Sequence, residues 1–398
     1  MPPPHLLDLT RTLRRTGRLA TGVDRVELAY LNHFARADFP AFGIIRTPFG
    51  YLLLDKAGLQ AFQARLTGQV AWGRATLLSK LARGRSGAVQ HAESDLRRLA
   101  VGRCTRSRLP HLLHTHLPGG FAYYNVGHSN LTERMLAGVK SAGGTVHAMI
   151  HDVIPLEYPQ YQRPETIVPF RAKIVRVSSY ADRIIYNSRD TQRRAEPYLS
   201  QMGRVPPFTV AHLGAIPPVV DATELPPGLP PERPYFMTLG TIEPRKNHKF
   251  LLDLWDQMGP DAPPLLICGS RGWNNDAVFR RLDALGPSDT VRECTGLTDA
   301  AIGALLERAA GVLFPSLAEG YGLPQVESLQ AGARVLCNNL PVFEEIAGEN
   351  ANYLSVSDPS LWLSTLKDWE KNQPTAQGEQ HFEGPQWRDH FKIVLSLT

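Results

Sequence analysis

GVLFPSLAEGYGLPQVESLQAG, residues 311–332, joins a short apolar run to a helical pattern through a turn bared by glycine. GVLFPS reads as a central strand, and Leu323-Pro324 opens a helix because proline is favoured in the first turn. Gly320 and Gly322 let backbone N–H groups approach an anion, and the helix dipole favours negative charge there. A diphosphate is the expected anion. Glu319 stands before the helix, where a carboxylate accepts hydrogen bonds from a neutral polyol. Glu327 lies about one turn inside, placed to grip a vicinal diol such as a ribose. A sugar on one side and a nucleoside on the other describe a nucleotide-sugar site. The competing reading is an ordinary glycine-rich turn with two acids serving as cap and surface charge.

The same alternation runs on both sides of this stretch. YFMTLGT, PLLICGS, TVRECTGL and RVLCNN are strand candidates. NHKFLLDLWDQM, DAVFRRLDAL, DAAIGALLERA and PVFEEIAG are helical. Short apolar runs alternating with amphipathic helices specify parallel βαβ units, here an α/β doubly wound sheet. The N-terminal half repeats the theme with HLLDLT, FGIIRTP, FAYYNVG, TVHAMIHDV, RIIYNS and PFTVAHLG as strands. The reading is therefore an N-terminal Rossmann-like domain over 1–216, interrupted at about 56–110. A linker over 217–234, with seven prolines in eighteen positions, leads to a second Rossmann-like domain over 235–375. A tail and amphipathic helix over 376–398 close the chain and suit either domain. Ligands of open α/β sheets bind at the carboxyl ends of the strands, so a cleft between the two domains is expected.

With 398 residues, 43% apolar and 20% charged, the chain has the composition of a globular two-domain protein. No apolar run is long enough to cross a membrane, and the N-terminus lacks the pattern of a secretory signal. Cys104, Cys268, Cys294 and Cys337 are scattered, which fits a reducing cytoplasm and argues against a disulfide framework or a zinc site. Residues 71–110 carry Arg74, Lys80, Arg83, Arg85, Arg97, Arg98, Arg103, Arg106 and Arg108 against Glu93 and Asp95. With leucines interleaved, this is either a solvated helical face or a surface that rests on anionic lipid at the inner face of the membrane. Nucleic acid is not an expected partner, because no aromatic stacking platform accompanies the charges.

On the first strand of the C-terminal half, TLGTIEPRKN places Gly240, Thr241, Arg245 and Lys246 at the strand end analogous to that of Glu319. Cations there offset a diphosphate and stabilise it as a leaving group. The segments GTIEPRKN, residues 296–332 and RVLCNNLPVFEEIAGENANYLSV together resemble the donor-binding half of retaining GT-B glycosyltransferases of family four. Glu319 and Glu327 meet that family's E-x7-E spacing. TGVDRVELAYL and HDVIPLEYPQYQRPE further resemble bacterial exopolysaccharide and O-antigen mannosyltransferases. The resemblance implies that Glu319 contacts the donor sugar, that Gly320, Tyr321, Gly322 and Leu323 meet diphosphate and sugar, and that Glu327 binds ribose. It matches Lys246 to a phosphate lysine and sets Leu297 near the base. Thr241 stands where many members carry arginine, which leaves Arg245 as the substitute.

In the N-terminal half the resemblance sets Gly22 against the diphosphate and His151 beside the anomeric carbon, with Lys246, Glu319 and His151 as catalytic candidates. The plainer readings are a glycine turn capped by Asp24 and a strand-end histidine held by a neighbouring carboxylate. Asp152 and His128 are acceptor-side candidates. His111, His114 and His116 have metal-like spacing, but a mixed strand and loop explains them better, and no metal or cofactor is expected. The activity implied is retaining transfer of a hexose, mannose from GDP-mannose by preference, onto a lipid-linked or saccharide acceptor. A UDP-hexose transferase, a nucleotide-sugar epimerase and a non-catalytic binding subunit are the alternatives.

Overall fold

The computed structural model describes residues 3–81, 84–216, 219–286, 289–372 and 382–396. Two sheets organise them. The first contains β1 (His5–Asp8), β2 (Ala41–Thr47), β3 (Gly50–Leu54), β4 (Gly102–Cys104), β5 (Phe121–Asn125), β6 (Gly144–Ile150), β7 (Arg183–Tyr186) and β8 (Phe208–Val210). Their order is β4-β3-β2-β1-β5-β6-β7-β8. All pairs from β2 to β8 are parallel, while β3 and β4 add antiparallel at one edge.

The second sheet is wholly parallel. It holds β9 (Phe236–Leu239), β10 (Leu265–Cys268), β11 (Val291–Cys294), β12 (Gly311–Phe314), β13 (Val335–Cys337) and β14 (Asn352–Tyr353), in the order β11-β10-β9-β12-β13-β14. Its central strands are buried along their whole length because helices cover both faces, which is why they read as continuous apolar runs. The helices carry a single apolar stripe. In His248–Met258 the residues Leu251, Leu252, Leu254 and Trp255 face inward, while Lys249 pairs with Asp253 outside. The direction of winding reverses between β9 and β12 in this sheet and between β1 and β5 in the other. Each reversal leaves a crevice at the carboxyl ends of the two strands.

Four expectations are refined. The departure from βαβ order begins at β3, ahead of residue 56, because the chain turns straight back from β2 into an antiparallel hairpin. The segment around His111, His114 and His116 is a helix, Leu109–His116, and not strand and loop; Pro110 sits in its first turn. In the proline-rich stretch, Pro217 and Pro218 lie outside the described residues. The remainder lies against the C-terminal domain, with Asp221 N–H donating to Ala300 O and Glu224 accepting from Thr298. The basic stretch is neutralised in part, at Arg85, Arg97 and Arg98. Its helix Gly87–Leu99 faces inward, with Glu93 gripping Arg85 and Arg97 and Asp95 gripping Arg65 and Arg98. Arg83 lies outside the described residues.

The last helix, Trp387–Leu395, returns to the N-terminal domain. His390 donates from Nδ1 to His212 O at 3.0 Å, and its Nε2 accepts from Tyr30 Oη at 2.7 Å. Phe391 stacks on His33 with ring centroids 3.9 Å apart. Gly214 permits this docking, since a Cβ there would sit 2.2 Å from the Trp387 nitrogen. Phe391 is 5% exposed, so Phe391→Ala is expected to cost about 3 kcal/mol of unfolding free energy. Urea denaturation checks this. A loss below about 0.5 kcal/mol, the range of surface substitutions, would mean that the helix is not docked.

Candidate functional site

The reversal between β9 and β12 brings the two strand ends together. After β9 the chain passes Gly240 into a short turn, Pro244–Lys246. After β12 it runs through Ser316 to Glu319. Leu317 N–H donates to Arg245 O at 2.7 Å, which locks the two loops side by side. Glu319 is 5% exposed and its carboxylate is shared, with Oε1 accepting from Lys246 Nζ at 2.5 Å and Oε2 from Arg245 at 2.7 Å. Arg245 also holds Glu243 at 2.8 Å. Burial alone would raise the Glu319 carboxyl, but the Arg245 and Lys246 charges outweigh it and hold it at about 2. The sequence candidates Glu319, Arg245 and Lys246 are thus one charged cluster, and Gly240 lies within van der Waals reach of the Lys246 side chain.

The following turn is set by sterics. Gly322 has φ +98°, and a Cβ there would lie 2.7 Å from the Phe343 ring, so the first residue before helix Leu323–Gln330 must be bare. Gly320 is bare for a different reason: a Cβ would reach 2.6 Å from His151 O in the N-terminal domain. The two domains therefore touch at the strand ends. Arg194 donates to Glu319 O at 2.9 Å while gripping Glu157, and Thr191 donates to Gly320 O at 2.9 Å. Tyr321 is buried and its hydroxyl donates to Leu213 O, so this side chain is committed to the domain contact. Glu345 caps a helix of the other domain, accepting from the N–H groups of Arg189 and Asp190.

Glu327 projects from the helix toward the N-terminal domain, where Arg25 reaches Glu327 at 2.5 Å and Asp299 at 2.8 Å. Burial raises the Glu327 carboxyl, and Arg25 opposes that shift. Gly22, one helical turn before Arg25, faces Leu323 across the same contact. The helix cap there is Thr21, with Asp24 completing a capping box, so Asp24 is the partner and not the cap. Leu297 is half-buried beside the Asp299 helix, and the Thr241 methyl lies against Gly272.

His151 follows β6 and is 6% exposed. Its Nε2 donates to Val126 O at 2.6 Å, leaving Nδ1 as the acceptor of a neutral ring, and burial depresses its pKa to about 4. The carbonyl of Val126, and not a neighbouring carboxylate, holds the ring. His128 is fixed in the same manner by Met149 O at 2.7 Å, with the two imidazole centroids 5.1 Å apart. Asp152 lies beside Gly320, and burial raises its carboxyl against the opposing Arg245 charge.

Several residues here escape a motif-led reading. Arg25 carries a signal, since it lies three residues from Gly22 on one helical face. Glu27 carries another, being an acid on the buried stripe of Val26, Tyr30, Leu31 and Phe34. It accepts from Thr12 Oγ1 at 2.6 Å, and a Cβ at Gly127 would clash with its carboxylate. Asp8, Arg194 and Glu345 depend on long-range contacts that no local spacing announces.

Residues 222–378 match the family Glycosyl transferases group 1. That match takes in less than half of the chain, all of it C-terminal. Over 250 residues, 58% of this chain, the protein is 27% identical to the "Serotype-specific mannosyltransferase WbdA" of Escherichia coli. The aligned part is 30% of that relative. It is 30% identical to the "O-antigen chain mannosyltransferase B" of the same organism over 129 residues, 32% of this chain and 33% of the relative. The match thus takes in about a third of each curated relative. The crystal structure of Anabaena Alr3699/HepE with UDP-glucose superposes with a TM-score of 0.61 at 13% identity, covering 99% of this chain and 96% of that one. The shared feature is the two-sheet GT-B fold.

The buried acid next to this site has a measurable signature. Burial is the main cause that raises Glu27 from 4.5 to about 8. Between those values the unfolded chain has released a proton that the folded chain keeps, so stability falls as pH rises from 4.5 to 8 and then levels. Glu27→Gln is expected to melt like the parent at pH 4.5 and above it at pH 9. The gain is on the order of a few kcal/mol, read from melting temperatures across that range.

Proposed function

We propose that this protein transfers a mannosyl group from GDP-mannose to a hydroxyl of a saccharide or lipid-linked acceptor, with retention of anomeric configuration. The observation that carries the reading is the buried Glu319–Lys246–Arg245 cluster at the β9/β12 reversal, facing His151 across the domain contact. The group 1 domain and the mannosyltransferase relatives support the reaction class and the sugar, and surface polysaccharide is the corresponding product. The likeness to HepE carries the fold and not the donor.

In this reading the diphosphate takes over the Lys246 and Arg245 charges, which frees Glu319 to accept hydrogen bonds from the sugar hydroxyls. Backbone N–H groups at the start of Leu323–Gln330 face the same anion. Glu327 exchanges Arg25 for the ribose diol. The bond from C1 to the phosphate oxygen breaks with its electron pair leaving on the diphosphate. The acceptor oxygen bonds to C1 from the same face, and its proton passes to the departing phosphate. His151, neutral and with Nδ1 free to accept, hydrogen-bonds a sugar hydroxyl. Contact between the domains excludes water and limits donor hydrolysis.

Glu319→Gln and Lys246→Ala are each expected to lower kcat/KM for transfer by roughly 10²–10³-fold in protein that keeps its circular dichroism spectrum. Thermal-shift titration should show a rise with GDP-mannose that exceeds the rise with UDP-glucose. Full activity in Lys246→Ala overturns the assignment, and a larger shift with UDP-glucose moves the donor to a UDP-hexose.

We also propose that the protein visits the membrane through a patch smaller than the basic stretch read from sequence. Leu77 and Leu81 are 82% and 71% exposed, and Lys80 lies between them on one short turn. No helix among the described residues is long and apolar enough to cross a bilayer. Co-flotation with vesicles containing anionic lipid is expected for the parent and is expected to be lost in Leu77→Ser/Leu81→Ser, with activity on a soluble acceptor unchanged. Equal flotation of both removes the patch from the proposal.

A further inference from the structure

The winding reversal of the N-terminal sheet, between β1 and β5, forms a second crevice. Asp8 ends β1 there, and the loop Gly127–Asn130 follows β5. That loop is held under strain, with φ of 54° at His128 and 60° at Asn130, and Asn130 is tied to Asp8 Oδ2 at 2.7 Å. Basic side chains gather around it from three elements. Arg14 lies on the helix Thr10–Arg15, one turn from Thr10, whose Oγ1 accepts from the Arg46 backbone N–H at 2.9 Å. Arg46 is the penultimate residue of β2. Lys173 and Arg176 come from the helix Pro164–Tyr180, where Arg176 Nε donates to Leu131 O at 2.6 Å, just past the strained loop.

These cations are close enough to repel. Beyond the effect of burial, Lys173 is depressed by Arg11, Arg176 and Arg14, while Arg14 is depressed by Arg46 and raised by Asp8. The acids nearby are already engaged. Asp24 holds Arg11 and Arg15, and Glu93 holds Arg85 and Arg97. Asp8 accepts from Thr10 N–H, Tyr123 and Asn130, and burial raises its carboxyl. Glu27, raised to about 8, is protonated at neutral pH. Among the described residues Arg14, Arg46, Lys173 and Arg176 form no ion pair. A fold that gathers these cations with no ion pair of their own, and with Asp8 held by Thr10, Tyr123 and Asn130, leaves room for a counter-charge supplied from outside. Guanidinium forks and an ammonium suit the oxygens of a phosphate group.

We propose that this crevice binds a phosphate or diphosphate group carried by the acceptor, so that the acceptor is an anionic, phosphate-bearing saccharide. The proposal rests on the transferase reading for the word acceptor, and on the cation cluster alone for the anion site. The shared chemistry is a sugar phosphate ester, either free in solution or lipid-linked.

The test uses the full chain saturated with GDP, titrated calorimetrically with inorganic pyrophosphate. Binding is expected in the parent. It should weaken at least tenfold in Arg14→Gln/Lys173→Gln, while GDP affinity stays within twofold. Lys246→Ala should show the converse. Arg14→Gln alone should raise the melting temperature of the ligand-free protein, because it relieves repulsion. Arms with soluble sugar phosphates and with neutral vesicles carrying a polyprenyl diphosphate separate the two sources. Competition between GDP and pyrophosphate would assign the cluster to the donor and overturn the proposal, as would undiminished binding in the double variant. Transfer to acceptors that ignores both substitutions also overturns it. Pyrophosphate binding that obeys them in a protein without transfer from any donor overturns the transferase reading and leaves the anion site standing.

Discussion

One buried carboxylate organises the centre of this molecule. Glu319 sits where two strand ends converge, and it remains ionised because Arg245 and Lys246 close on its two oxygens. Desolvating three charges together is costly unless each is satisfied, and removing one member leaves an uncompensated charge in the interior. The neighbouring loops are arranged to keep the set complete, with Ala318 O accepting from Arg245 as well. A site assembled this way has its polar groups already positioned.

The C-terminal sheet was legible because each of its elements is written locally. Runs such as LLIC and GVLF are apolar over a strand length, the helices carry one stripe, and Pro324 and Gly322 mark a helix start. The N-terminal sheet was legible in its parallel strands and less so at its edge, where β3 pairs backward onto β2 and local pattern does not encode direction. The region of His111, His114 and His116 misleads for a related reason. Its leucines suit a strand or a short helix equally, and packing against the neighbouring helix Glu133–Ser141, at Gly138, decides.

Within the site, glycines and the acids beside them were visible because steric need ties residue type to position. Gly320 is an instance, with no room for a side chain against His151 O. Partners separated by long stretches of chain were not visible. The bonds from Arg194 to Glu319 O and from Arg189 N–H to Glu345 join residues more than a hundred positions apart, and nothing in either segment announces the other. The basic stretch shows the opposite failure. Its cations were counted correctly, yet its two buried acids absorb three of its arginines, and Arg65 besides, once the helix folds inward.

The guanidinium of Arg25, shared by Glu327 and Asp299, gives ionic strength a lever on the contact between the two lobes. Salt screens exposed charge pairs more strongly than sheltered ones. Added electrolyte therefore weakens the strut that braces one lobe against the other and frees the Glu327 carboxylate. A half-exposed strut yields to electrolyte sooner than the sheltered triad around Glu319.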